Sequence, residues 1–202
     1  MLPSLDKAKK LFEALVYKTN IINVKKGLPK GTSAKHYQNV AYVAAHIALK
    51  AEMNVQKAYI LGLLHDYGEV AEDSNPKAFH GTAGYDEMML NGYDEVAQTC
   101  LSHSFFDKNF NPEDTSYPSK EIIRAKEILK NKDFDDYDKL IQLADLMSSG
   151  VDITTVEERI SKLAIKYNIR SDLVETKMRA AKELKMYFDN KCNCDIYQEF
   201  NL

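Results

Sequence analysis

Apolar residues recur at helical spacing along most of the chain, and no segment shows the strict alternation of a half-buried strand. "LDKAKKLFEALVYKT" carries Leu5, Ala8, Leu11 and Leu15 on one face. Residues 27–33, "GLPKGTS", form a loop, and Ser33 is placed to cap the next helix. That helix, "AKHYQNVAYVAAHIALKAEM", aligns Val40, Val43, Ala44 and Ile47. Asn54 is placed to cap "VQKAYILGLLHDYGE". "EDSNPKAFHGTAG" reads as a polar loop, "YDEMML" as a short helix, "NGYD" as a turn and "EVAQTCLSHSF" as a further helix. After the polar loop "DKNFNPEDTSYPS" come four more helical segments: "KEIIRAKEILK", "DYDKLIQLADLMSSG", "TVEERISKLAIKY" and "DLVETKMRAAKELKMYF". The pattern predicts an all-α fold of about eight or nine helices in a single domain, residues 1–202. Residues 191–202 form a tail that is either frayed or packed as an appendage.

Composition narrows the class. Hydrophobic residues make up 45% and charged residues 28%, as in a soluble globular domain. A net charge of -3 gives no electrostatic footprint for nucleic acid. No apolar run approaches the roughly 20 residues of a membrane helix. Cys100, Cys192 and Cys194 make an odd count with no export signal, which fits a reducing compartment. The expectation is a cytoplasmic protein with neither a nucleic-acid nor a membrane partner. Cys100 falls in an apolar helix and reads as core. The C-x-C pair at 192 and 194 lacks the second pair of a zinc site.

The chemistry lies in five histidines and a few acids set into apolar helices. In "ILGLLHDYGEV" the apolar run through Leu61, Leu63 and Leu64 ends on His65 and Asp66. Neighbouring residues on a helix diverge by about 100°, so both serve one site only at a helix end or between helices. His36 and His80 fall at helix starts, and His103 ends an apolar helix. Asp145 sits among Ile141, Leu143, Leu146 and Met147, where a carboxylate needs a partner. A metal ion is a natural one, since imidazole and carboxylate are its commonest protein ligands. His46 lies ten residues beyond His36, rotated by about 80°, and reads as a packing or surface residue.

In order and helix context, "KHYQNVAYVAAHIA", "ILGLLHDYGEV" and "LIQLADLM" resemble the HD superfamily of metal-dependent phosphohydrolases. The resemblance covers residues 35–150, leaving 151–190 as C-terminal helices. It implies the all-helical HD fold, with His36, His65, Asp66 and Asp145 as ligands of one divalent metal. "FHGTAGYDEMMLNGYDEVAQTCLSHSF" is similar to the segment that brings a second metal in a subset of the family. That implies Asp66, His80 and His103 around a second ion. Which metal binds, and whether one or two ions bind, stays open.

One departure bears on mechanism. Many HD proteins place a lysine where this chain has Glu69, which weakens any phosphate contact there. In related nucleotidases a glutamate at this spacing activates water. Asp66 and Glu69 are therefore the candidate catalytic residues, and Glu69 reads equally as a solvated helix-end acid. No "GYP" element follows. The resemblance implies hydrolysis of a small-molecule phosphate ester or anhydride, nucleotide-like. The alternatives are an HD-fold di-iron oxygenase, which uses the same kind of ligand set, and a non-catalytic nucleotide-sensing module. Lys35, Lys77, Lys108 and Arg124 are possible phosphate contacts, but each reads first as a surface charge. Loops 73–79 and 106–119 are expected to shape the pocket mouth.

Overall fold

Side-chain caps fix where several helices begin. Ser4, Asn54, Asp135 and Thr155 each accept a hydrogen bond from a backbone N–H two or three residues on. They start α1 (Leu5–Lys25), α3 (Val55–Leu64), α8 (Asp136–Leu146) and α9 (Val156–Tyr167). Between them lie α2 (Thr32–Lys50), α4 (Glu69–Ser74), α5 (His80–Leu90), α6 (Asp94–Ser102) and α7 (Ser119–Leu129). A two-residue antiparallel hairpin, β1 (Ser148–Ser149) with β2 (Asp152–Ile153), follows α8. The chain ends with α10 (Ser171–Cys192) and α11 (Ile196–Glu199). The structure, a computed structural model, describes residues 1–27, 29–75, 77–105 and 117–202. Among these residues the fold is all-α apart from the hairpin, as the periodicity predicts. Nine helices are nine residues or longer, and α4 and α11 are short additions. Most of the loop 106–119, and Lys108 with it, lies outside the described residues.

The centre of the fold is α3, where Ala58, Ile60, Leu61, Leu63 and Leu64 are all buried. Each large side chain buried in this way stabilises the fold by roughly 1.5–3 kcal/mol. α2 lies along α3 through Val40, Ala41, Val43, Ala44 and Ile47. The approach is close at Gly62, where a Cβ would meet the Ala41 Cα at 2.8 Å. α6 and α8 close the same core with Val96, Ala97, Leu140, Ile141, Leu143 and Ala144. A second cluster, Phe79, Leu101, Phe105, Ile122, Ala125 and Leu129, seats α7 on α5 and α6. The tail packs rather than frays. Phe188 and Ile196 join the main core, and Glu199 pairs with His46 at 3.0 Å and Lys50 at 2.9 Å.

Three local expectations are corrected. Ser33 does not cap α2; Gly31, in the left-handed region at φ +83°, precedes a helix that begins at Thr32. The segment expected as one helix through Glu69 breaks after Leu64, turns through residues 65–68 and restarts as α4. The segment expected as a loop through Gly84 is already helical from His80. Glycine explains the last two. A Cβ on Gly68 would collide with the His80 carbonyl, and one on Gly84 would meet Cys100 Cβ at 3.0 Å. The turn and the start of α5 can touch only because side chains are missing there. Gly68→Ala should therefore destabilise the fold by about 3 kcal/mol, lowering Tm by roughly 6–12 °C in a scanning calorimeter. A Tm within 2 °C of wild type would contradict this packing argument.

Candidate metal centre

The break after α3 solves the divergence of neighbouring helical residues. His65 and Asp66 sit in a turn and point into one cluster instead of around a cylinder. His65 is fully buried, and its Nδ1 lies 2.8 Å from the Gly62 carbonyl oxygen. A carbonyl only accepts, so Nδ1 carries a proton and Nε2 is the atom left to bind a metal when the ring is neutral. His103, at the end of α6, repeats the device with the Thr99 carbonyl at 3.1 Å. The α6 end is itself tied to α8. Ser102 donates to the buried Asp138 at 2.5 Å, and Gln142 Nε2 donates to the Ser102 and Phe105 carbonyls at 3.0 and 2.6 Å. α8 thus places both His103 and its own Asp145.

The six ligand candidates converge. Asp66 Oδ2 lies 3.3 Å from His65 Nε2 and 3.7 Å from His36 Nε2. Asp66 Oδ1 lies 3.2 Å from His103 Nε2 and 3.6 Å from His80 Nε2. Asp145 Oδ1 joins the first half, 3.2 Å from His36 Nε2 and 3.9 Å from His65 Nε2. Within each half, His36–His65–Asp66 and Asp66–His80–His103, the ligand atoms lie within 4.8 Å of one another. His80 and His103 bring their Nε2 atoms to 3.3 Å.

This donor set fits a divalent cation. Lone pairs of two backbone-anchored imidazoles face carboxylate oxygens, an arrangement that repels unless positive charge lies between them. The buried His65 Nε2 has no hydrogen-bond partner among the described atoms. Protons can serve as that charge. Burial opposes an imidazolium at His65, but Asp66 and Asp145 outweigh it and push the group up to about 9. Burial alone would raise Asp66, yet His65 and His103 hold its carboxyl well below the usual range. Asp145 is held low against burial by His36, His65 and Arg159.

Glu69 opens α4 beside the cluster, and two hydroxyls grip its carboxylate. Tyr37 O–H donates to one oxygen, and Ser33 O–H donates to the other at 3.3 Å. Burial, then the charges of Glu69 and Asp66, push the Tyr37 phenol far above its ordinary value, so it stays a donor. Asn23 of α1 donates in turn to Ser33 at 3.3 Å. The sequence reading missed Tyr37, Ser33, Gln142 and Ser104, whose hydroxyl lies 3.1 Å from His103 Nε2 and 3.3 Å from His80 Nε2. Tyr37 had one available signal. It follows His36 directly and falls three residues before Val40, on the apolar face of α2.

The remaining sequence candidates fall elsewhere. Lys35 and Lys77 are exposed, and Arg124 is engaged by Asp86 through two hydrogen bonds. His46 serves the tail through Glu199. Cys100 is buried in the core, where burial pushes its thiol far up, and all three cysteines are free. No helix among the described residues is long and apolar enough to cross a membrane.

A helical fold that brings histidines and aspartates from α2, the α3–α4 turn, α5, α6 and α8 to one point defines a metal-site domain. The family model of the HD domain matches residues 34–150, more than half of the chain. The protein belongs to the HD domain family, which places it in a metal-dependent hydrolase superfamily. No curated protein and no solved structure matches it.

Proposed function

We propose that this protein is a phosphohydrolase that uses two divalent ions to cleave a phosphomonoester or phosphoanhydride of a small, nucleotide-like molecule. The observation that carries the reading is the division of Asp66, with one oxygen toward His36 and His65 and the other toward His80 and His103. His36, His65, Asp66 and Asp145 would hold one ion, and Asp66, His80 and His103 the other. Such a pair supplies an acidified water and neutralises the charge of a transferring phosphoryl group. The chain's own residues do the rest. Glu69 takes the proton of the attacking water at its carboxylate, which Tyr37 and Ser33 keep aligned. Gly62 and Thr99 hold two rings with their Nε2 atoms toward the centre, so positioning precedes substrate binding.

The test is turnover on a panel of phosphate esters and nucleotides, with the as-purified metal quantified. Phosphate release from at least one nucleotide with Mn²⁺ or Co²⁺ under anaerobic conditions is expected. Bound iron with a mixed-valent EPR signal and O₂ consumption, without phosphate release, would assign the centre to an oxygenase. Tight nucleotide binding without turnover across the panel would assign it to sensing.

A further inference from the structure

The cations expected from the sequence to meet phosphate are exposed, engaged or outside the described residues, but Arg159 is none of these. It lies in the first turn of α9, between the buried Val156 and Ile160, so its stem follows the apolar side of the helix. α9 packs on α8, the helix that carries Asp145. The Arg159 Nε is buried without a hydrogen-bond partner. Among the described residues the outer nitrogens have no hydrogen-bond or ion-pair partner either, and they are not among the buried unsatisfied atoms. Neighbouring acids are taken: Glu157 accepts from Tyr197 O–H at 2.7 Å and pairs with Lys182 at 3.7 Å, and Glu158 accepts from Thr154. Asp145 is close enough to feel the guanidinium charge, but its Oδ1 is turned toward His36 at 3.2 Å.

A guanidinium whose Nε–H is buried and unused is costly unless something completes it. The molecule it suits is an oxyanion, because the planar fork of N–H groups matches paired phosphate oxygens and carries a charge at every working pH. We infer that Arg159 is the substrate-anion receptor of this site, gripping non-bridging phosphate oxygens on the Asp145 side of the metal cluster. The inference rests on the phosphohydrolase reading and sharpens it: a phosphorylated substrate uses this residue, whereas an uncharged one leaves it idle. It also explains how the site can dispense with the lysine that Glu69 replaces.

Metal-loaded wild type, Arg159→Met and Arg159→Lys proteins should be titrated with inorganic phosphate by calorimetry, with metal content and Tm measured on the same samples. Arg159→Met is expected to weaken phosphate about tenfold or more, and Arg159→Lys by a smaller factor, both with wild-type metal content. In turnover, KM should rise more than kcat falls. If Arg159→Met does not fold, Arg159→Lys carries the test. Phosphate affinity within twofold of wild type in the folded variants would overturn the assignment while leaving the hydrolase intact. Loss of metal in both variants would also overturn it, because Arg159 would then support Asp145 rather than substrate. A wild-type protein that neither binds phosphate nor hydrolyses any ester would remove the phosphohydrolase reading and this assignment together.

Discussion

Asp66→Asn should lower turnover by about 10³-fold or more and reduce bound metal below one ion per chain. The substitution keeps the shape of the side chain but removes the one carboxylate among the described residues whose two oxygens face both histidine pairs. An amide places an N–H₂ group toward one pair and a neutral oxygen toward the other. One half then meets a donor where it needs an acceptor, and both lose the charge that offsets a dication. Several kcal/mol of transition-state stabilisation rests on that charge, at 1.36 kcal/mol per tenfold in rate. Elemental analysis of the purified variant, beside its kcat, checks both statements. Full metal content with full activity would remove Asp66 from both ligand sets.

Glu69→Gln should behave differently. Metal content should stay at the wild-type level, since none of the six converging ligand atoms belongs to Glu69. The rate constant kcat should fall by about 10²- to 10⁴-fold, the usual worth of a positioned general base. Tyr37 and Ser33 grip different oxygens of Glu69, so the single glutamine oxygen keeps only one of the two bonds, and a Tm measured beside kcat separates lost packing from lost chemistry. A kcat within twofold of wild type would leave Glu69 as a structural acid that anchors Tyr37.

How much of this was legible beforehand depends on where the information lies. The helices were readable because apolar periodicity is a local signal, and Asn54 was readable as a cap because its side chain bonds three residues on. His65, Asp66, His103 and Asp145 were readable because carboxylates and imidazoles in apolar context demand a partner, and His36 and His80 because their order and helix context resemble the HD superfamily. The break at residues 65–68 was not, because it depends on Gly68 meeting the His80 carbonyl, twelve residues away. Ser33 was assigned to the wrong task for a related reason. Its hydroxyl suits a cap, but its actual acceptor, Glu69, lies 36 residues on. Arg159 was passed over because, in "TVEERISKL", an arginine near two glutamates resembles a solvated face. The structure shows both acids engaged elsewhere, Glu157 by the distant Tyr197 and Glu158 by the nearby Thr154.

The carbonyl anchors of His65 and His103 carry a consequence for mutational robustness. An orienting partner supplied by a side chain disappears when that residue changes. Here the acceptors are main-chain oxygens of Gly62 and Thr99, which every residue type possesses. Thr99 can drift to another helix-compatible residue without freeing the His103 ring, provided the replacement fits a buried position. Gly62 cannot drift, but for a separate reason: the backbone of Ala41 occupies the space a Cβ would need. The tolerance of the two positions to saturation mutagenesis should therefore differ sharply, although both do the same work for the imidazole they hold.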